Sequence, residues 1–148
     1  MAGTIHLIQG PNLNLLGQRQ PEIYGHETME DVGRMAADAA RRHGLDLRQM
    51  QSNSEGALVD MIQAARGTAA GIVINPGAYS HTSIAILDAL NAFEGPVAEV
   101  HISDIHVREE FRHHSYVSLR ADAVIVGKGV QGYVMAVDAL AERLGQMG

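Results

Sequence analysis

In the run VAEVHIS, Glu99, His101 and Ser103 alternate with Val100 and Ile102, so three polar groups share one face of a short apolar segment. A lone carboxylate in such a segment costs several kcal/mol, whereas a glutamate beside a histidine can satisfy itself. Taken alone, the pair reads equally as a self-contained polar contact in a core and as half of an acid–base site. Arg108 and Arg112 stand four apart, which in a helical segment puts both guanidinium groups on one side. Singly, each is better accounted for by solvated pairing with Glu109 and Glu110; together with Arg19 they would frame a pocket for a carboxylate. Asn12, Asn14, Arg19 and Tyr24 follow one apolar run, and Asn75, Tyr79, Ser80 and His81 follow another. An inventory of Tyr, His, Arg, Asn and Glu fits proton transfer: elimination, isomerisation or hydration of a small polar acid.

Short apolar runs alternating with helical periodicity would position these groups. Thr4–Gln9, Leu45–Gln51, Ala70–Ile74, Val97–Ser103 and Ala123–Val126 read as strands, and Ala70–Ile74 is apolar on both faces, as a central parallel strand must be. Between them, Met29, Val32, Met35, Ala36 and Ala39 recur at helical steps, with Thr28 and Asp31 to cap the start and Gly44 to stop the helix. Ser54 opens a helix carrying Leu58, Ile62 and Ala65; another is expected around Thr82–Phe93, and Val130, Val134, Val137, Ala141 and Leu144 form the last. Five strands interleaved with helices imply an α/β fold: a doubly wound, five-stranded parallel sheet between two helical layers, in a flavodoxin-like order. Gly10–Glu27 reads as an irregular stretch far longer than the usual connection of about 2–6 residues, hence a binding loop, with a lid at about 18–27. Asp104–Ala121 is polar, aromatic and locally basic. Both stretches follow strands, on the edge where doubly wound sheets bind ligands.

Three motifs carry less than they promise. Gly127-Lys128-Gly129-Val130-Gln131-Gly132 matches G-x-G-x-x-G, but the rest of the chain is one helix, with no further strand to supply the acidic ribose partner. His101, His106, His113 and His114 lack the spacing of a metal site, and vicinal His113 and His114 point apart on a helix. Ser80 precedes His81 without a nucleophile elbow. Lys128, the sole lysine, lies in a glycine turn unsuited to a buried Schiff base.

The 148 residues, 46% hydrophobic and without cysteine, suffice for one domain over 1–148 and exclude disulfides, thiolate metal sites and a thiol nucleophile. A net charge of −6 argues against a nucleic-acid binder but leaves an anionic substrate open. No basic residue precedes Arg19 and no apolar run approaches a membrane span of roughly 20 residues, so neither secretion nor membrane insertion is expected; a soluble cytoplasmic protein is.

Gly10-Pro11-Asn12-Leu13-Asn14-Leu15-Leu16-Gly17 with Arg19, Pro21, Tyr24 and Gly25 forms one block; Asn75-Pro76-Gly77-Ala78-Tyr79 with His81-Thr82-Ser83 forms a second; Glu99 to Ser103 with Arg108 to Arg112 forms a third. In this order, over nearly the whole chain, they resemble type II 3-dehydroquinate dehydratases, lyases of the shikimate pathway. The resemblance implies reversible dehydration of 3-dehydroquinate to 3-dehydroshikimate through an enolate, with no cofactor and no metal. It implies Tyr24 as the base at C2, Arg19 as the cation favouring its phenolate, and His101 as the general acid, supported by Glu99. Asn12 would help hold the oxygen that stabilises the enolate; Asn75, the Ile102 backbone N–H and Ser103 would receive the carboxylate. His81 and Arg112 would hold ring hydroxyls, and Asp88 would reach a neighbouring subunit's site in a homododecamer, a tetramer of trimers. Ser80, Leu87, Asp104 and Lys128 depart from the family's usual residues, none of them in the acid–base set. A receiver module would need an acidic cluster where Gly10-Pro11-Asn12 stands, and an FMN binder would be yellow.

Overall fold

A computed structural model describes residues 3–147. The elements run β1 (Thr4–Gln9), α1 (Pro21–Tyr24), α2 (Met29–Arg42), β2 (Asp46–Gln51), α3 (Glu55–Ala65), β3 (Gly71–Asn75), α4 (Ile84–Asn91), β4 (Val97–His101), β5 (Ala123–Val126) and α5 (Gln131–Met147). Every strand pair is parallel and the sheet order is β2-β1-β3-β4-β5, the flavodoxin-like order expected. Helices start where the sequence supplies caps. Thr28 Oγ1 accepts from the Asp31 N–H while Asp31 accepts from the Thr28 N–H, and Ser54 and Ser83 cap α3 and α4.

The two faces of the sheet have separate apolar fillings. Ile5, Leu7, Val73 and Val100 pack with Val32 and Ala36 of α2 and Val137 and Leu140 of α5. Ile8, Ile72, Ile74 and Val97 pack with Leu58 and Ile62 of α3 and Ile86 and Leu90 of α4. β3 and β4 are buried throughout, so both must read apolar on each face; β2 and β5 are the half-exposed edges. Glu99 and His101 are thus the exceptions that β4 has to accommodate.

Three local expectations need correction. The Gly10–Glu27 stretch is not wholly irregular: it holds a 3-10 turn at Leu13–Leu15 and the single-turn α1, started by Pro21 in its first turn. β4 ends at His101, so Ser103 leaves the sheet. His113 and His114 do not lie on a helix; His113 closes a 3-10 turn at Glu110–Arg112, one of three such turns that replace a crossover helix between β4 and β5.

The order of strand addition reverses between β1 and β3: the chain leaves β1 to add β2 on one side and returns to place β3 on the other. At such a point the loops beyond the strands diverge and leave a crevice. Here those loops begin at Gly10 and Pro76.

Candidate active site

The two loops touch at their bases. Gly10 donates its N–H to the Asn75 carbonyl at 2.8 Å, and a Cβ on Gly10 would sit 2.5 Å from the Pro76 oxygen. Only glycine permits that approach. Beyond it Asn12 adopts φ +69°, its N–H held by the Asn53 side chain at 3.0 Å, while Leu13 and Leu16 are buried and anchor the loop. The cleft above is walled by three segments: Asn12, Arg19 and Tyr24 from the first, Asn75 and His81 from the second, and His101, Ile102, Ser103, Arg108 and Arg112 from the third.

Its floor is the Glu99–His101 pair. Glu99 is fully buried and its Oε2 lies 2.5 Å from His101 Nε2. Ser115 donates its hydroxyl to the same oxygen and Ser118 to Oε1, both at 2.5 Å. Burial pushes the Glu99 carboxyl up, but the hydrogen bond and charge of His101 and the two serine hydroxyls outweigh it, so Glu99 is held below the usual carboxylate value. An anion fixed on Nε2 sets the ring orientation and leaves Nδ1 as the other nitrogen for chemistry.

The phenol of Tyr24 enters from the first loop, half-buried, on a helix none of whose residues is fully buried. Its oxygen accepts a hydrogen bond from Arg108 Nη1 at 2.8 Å, and the same nitrogen lies 3.4 Å from Ser103 Oγ. Arg19 lies over the face of the ring instead, its Cζ 4.8 Å from the ring centre. Tyr24 therefore meets two guanidinium groups, one at the oxygen and one on the π face.

The remaining side chains have defined orientations. Asn75 donates Nδ2–H to the Tyr133 oxygen at 2.8 Å and accepts the Gly77 N–H at 3.1 Å. His81 Nδ1 lies 2.8 Å from the His114 carbonyl. Burial and, less strongly, the charges of His101, Arg112 and Arg108 hold the His81 imidazole below its usual value, against the upward pull of the His114 carbonyl. The neutral ring so favoured donates Nδ1–H to that carbonyl and leaves Nε2 as an acceptor. Arg112 is tied to Glu109 by its Nε. Ile102 is buried, with its carbonyl taken by the Gly129 N–H. Arg108 and Arg112 share the cleft although a 3-10 turn rather than a helix joins them. Asp88, by contrast, lies on the exposed side of α4 and does not line this chain's own cleft.

A family model described as dehydroquinase class II matches residues 3–141. The chain belongs to the class II dehydroquinase family. It is 66% identical over 137 residues to a protein of Cereibacter sphaeroides named 3-dehydroquinate dehydratase, covering 93% of each. It is 59% identical over 141 residues to one of the same name from Corynebacterium glutamicum, covering 95% of this chain and 97% of that one. The crystal structure of type II dehydroquinase from Propionibacterium acnes superposes with a TM-score of 0.90 at 44% identity, over 96% of this chain and 98% of that one. The enzyme class expected from the sequence, a type II dehydratase and so a lyase, agrees with these relatives.

Among the residues of this class II dehydroquinase, sequence reasoning put Arg108 in a general positive pocket and missed its place at the Tyr24 oxygen, a contact across 84 positions. It also missed Ser115 and Ser118 on Glu99, whose one signal was two hydroxyls inside the polar Asp104–Ala121 stretch, and Tyr133 behind Asn75. Among the described residues, no group of three His, Asp or Glu side chains converges as a metal cluster would, and no helix is long and apolar enough to cross a membrane.

Proposed function

We propose that this chain removes water reversibly from 3-dehydroquinate to give 3-dehydroshikimate through an enolate, with Tyr24 as base and His101 as general acid. The observation that carries this reading is the placement of a phenol and a glutamate-backed imidazole in one cleft, with guanidinium groups on the phenol. Tyr24 as phenolate takes the C2 proton next to the ketone; negative charge passes to the ketone oxygen, where Asn12 and a held water stabilise it. The C1–O bond then breaks, His101 supplies the proton to the departing hydroxyl, and water leaves. Arg108 Nη1 at the Tyr24 oxygen and Arg19 over its ring give a negative phenol oxygen two guanidinium neighbours. Asn75, the Ile102 N–H and Ser103 take the carboxylate, and His81 Nε2 and Arg112 take ring hydroxyls.

Residues 18–27 act as a lid on one catalytic unit spanning the chain: closing it brings Tyr24 and Arg19 to the substrate and excludes water. Asp88, unused in its own cleft, serves that of a neighbouring subunit in a dodecamer, a tetramer of trimers. Exposed Ile84, Val107, Phe111, Leu119 and Val124 leave apolar surface for such contacts. Sedimentation is expected to give a mass near twelve times that of the chain. A reducing compartment such as the cytoplasm suits a chain without cysteine.

Adding 3-dehydroquinate to the purified chain and following the ultraviolet absorbance of the conjugated enone tests the activity. Absorbance should rise with turnover and survive EDTA, since acid and base are both side chains; no enone would overturn the reading.

A further inference from the structure

Behind the cleft runs a line of hydrogen bonds that the proposed chemistry does not use. Asn75 donates to the Tyr133 oxygen at 2.8 Å; Tyr133 donates its hydroxyl to Gln9 Oε1 at 2.8 Å. Gln9 donates to Gln49 Oε1 at 3.1 Å, and Gln49 donates to the Met29 carbonyl at 3.2 Å. Every donor points the same way, from the cleft to Met29, the first residue of α2. Gln9 and Tyr133 are fully buried, so neither has water as a substitute partner.

The carboxamide of Asn75 has one acceptor oxygen and two N–H bonds. Gly77 N–H takes the oxygen, and a backbone donor cannot be turned into an acceptor. Tyr133 takes one N–H. One donor remains, on a residue that lines the cleft. Tyr133 can accept there only because its own hydrogen is already committed to Gln9. Burial, against the pull of Asn75 and Gln9, pushes its phenol up to about 12, so that hydrogen stays in place at any working pH.

We propose that Tyr133 is a positioning residue: through Gln9 it fixes the Asn75 carboxamide with a single N–H free, aimed at the carboxylate of the substrate. This rests on the reading of Asn75 as a carboxylate-binding group. Removing the Tyr133 oxygen leaves the ring packing intact but one buried Asn75 N–H unpaired and the amide held at the Gly77 N–H alone, so its aim loosens and ground-state and transition-state binding fall together.

The test is a double-variant cycle in kcat and KM for dehydration of 3-dehydroquinate. Tyr133→Phe is expected to raise KM about tenfold with kcat changed less than about twofold. Combined with Asn75→Ala it should add nothing to the loss from Asn75→Ala alone, because its effect passes through that amide. A merely structural tyrosine would give additive losses or an unchanged KM, and either result in a folded Tyr133→Phe protein overturns the inference. If Asn75→Ala itself leaves KM unaltered, the carboxylate reading fails instead, so the two failures are distinct. Should Tyr133→Phe fail to fold, Gln49→Met, two donors further along, must raise KM in the same non-additive way; a normal KM there overturns the proposal equally.

Discussion

Two regions supply the proposed acid and base, and they are built on opposite principles. His101 stands on a central strand, its partner Glu99 fully buried and given three donors, so the acid is formed as part of folding. Tyr24 stands on a single-turn helix with no fully buried residue, joined to the third segment by Arg108. Local stability follows buried contacts, so the acid should be inseparable from the fold while the base can come and go with little cost to it. Such an arrangement lets a cleft open for substrate without losing the geometry of its acid.

That contrast can be broken most severely with Tyr24→Phe. Turnover should drop by a factor of about 10²–10⁴, the usual share of a general base, while the melting temperature and substrate binding stay near those of the parent. A comparable loss of stability would mean that residues 18–27 belong to the core. Glu99→Gln should do the reverse mixture. Turnover is expected to fall about 10–100-fold as His101 loses its orienting anion, and stability by about 1–3 kcal/mol in denaturant titration, since two serine hydroxyls and a buried imidazole then face a neutral amide.

The two guanidinium groups on Tyr24 come one from each region and should differ in effect. Arg108 touches the Tyr24 oxygen, so Arg108→Ala should cost about tenfold or more in kcat. Arg19 meets the ring face, so Arg19→Ala should cost a few-fold, about what a cation–π contact is worth, again in kcat rather than KM. Equal losses in KM alone would place both with the substrate instead of the base.

The smallest effect expected is in acid. Glu99 is held below its ordinary value of 4.5, so the folded state binds its proton less readily than the unfolded chain does. The stability this contributes is complete above about 4.5 and is lost as pH falls from there through the lower folded value. Melting temperature against pH should therefore be flatter over that window in Glu99→Gln; an identical slope would deny Glu99 its charge.

The fold was legible because its signals are local and repeated. Strand runs such as AGIVI and caps such as Thr28 with Asp31 act within a few residues, and the structure shifts the expected ends of β2 and β3 by a single residue. Glu99 and His101 were legible for the opposite reason, as polar residues in a segment that burial should have kept apolar. A four-residue helix is too short to show a period, so α1 was hidden inside an apparent loop and only Pro21 marked it. The Tyr24–Arg108 and Asn75–Tyr133 contacts join positions 84 and 58 apart, a separation over which no local sequence pattern carries information.

Whether the proposed base at Tyr24 acts separately from the proposed acid at His101 can be read by proton NMR of 3-dehydroquinate in deuterium oxide. With His101→Ala, the hydrogen at C2 should wash out to solvent while no enone forms, because Tyr24 still makes the enolate and nothing helps the hydroxyl leave. With Tyr24→Phe, neither should happen. Wash-out at the parent rate from the Tyr24→Phe protein would contradict the account.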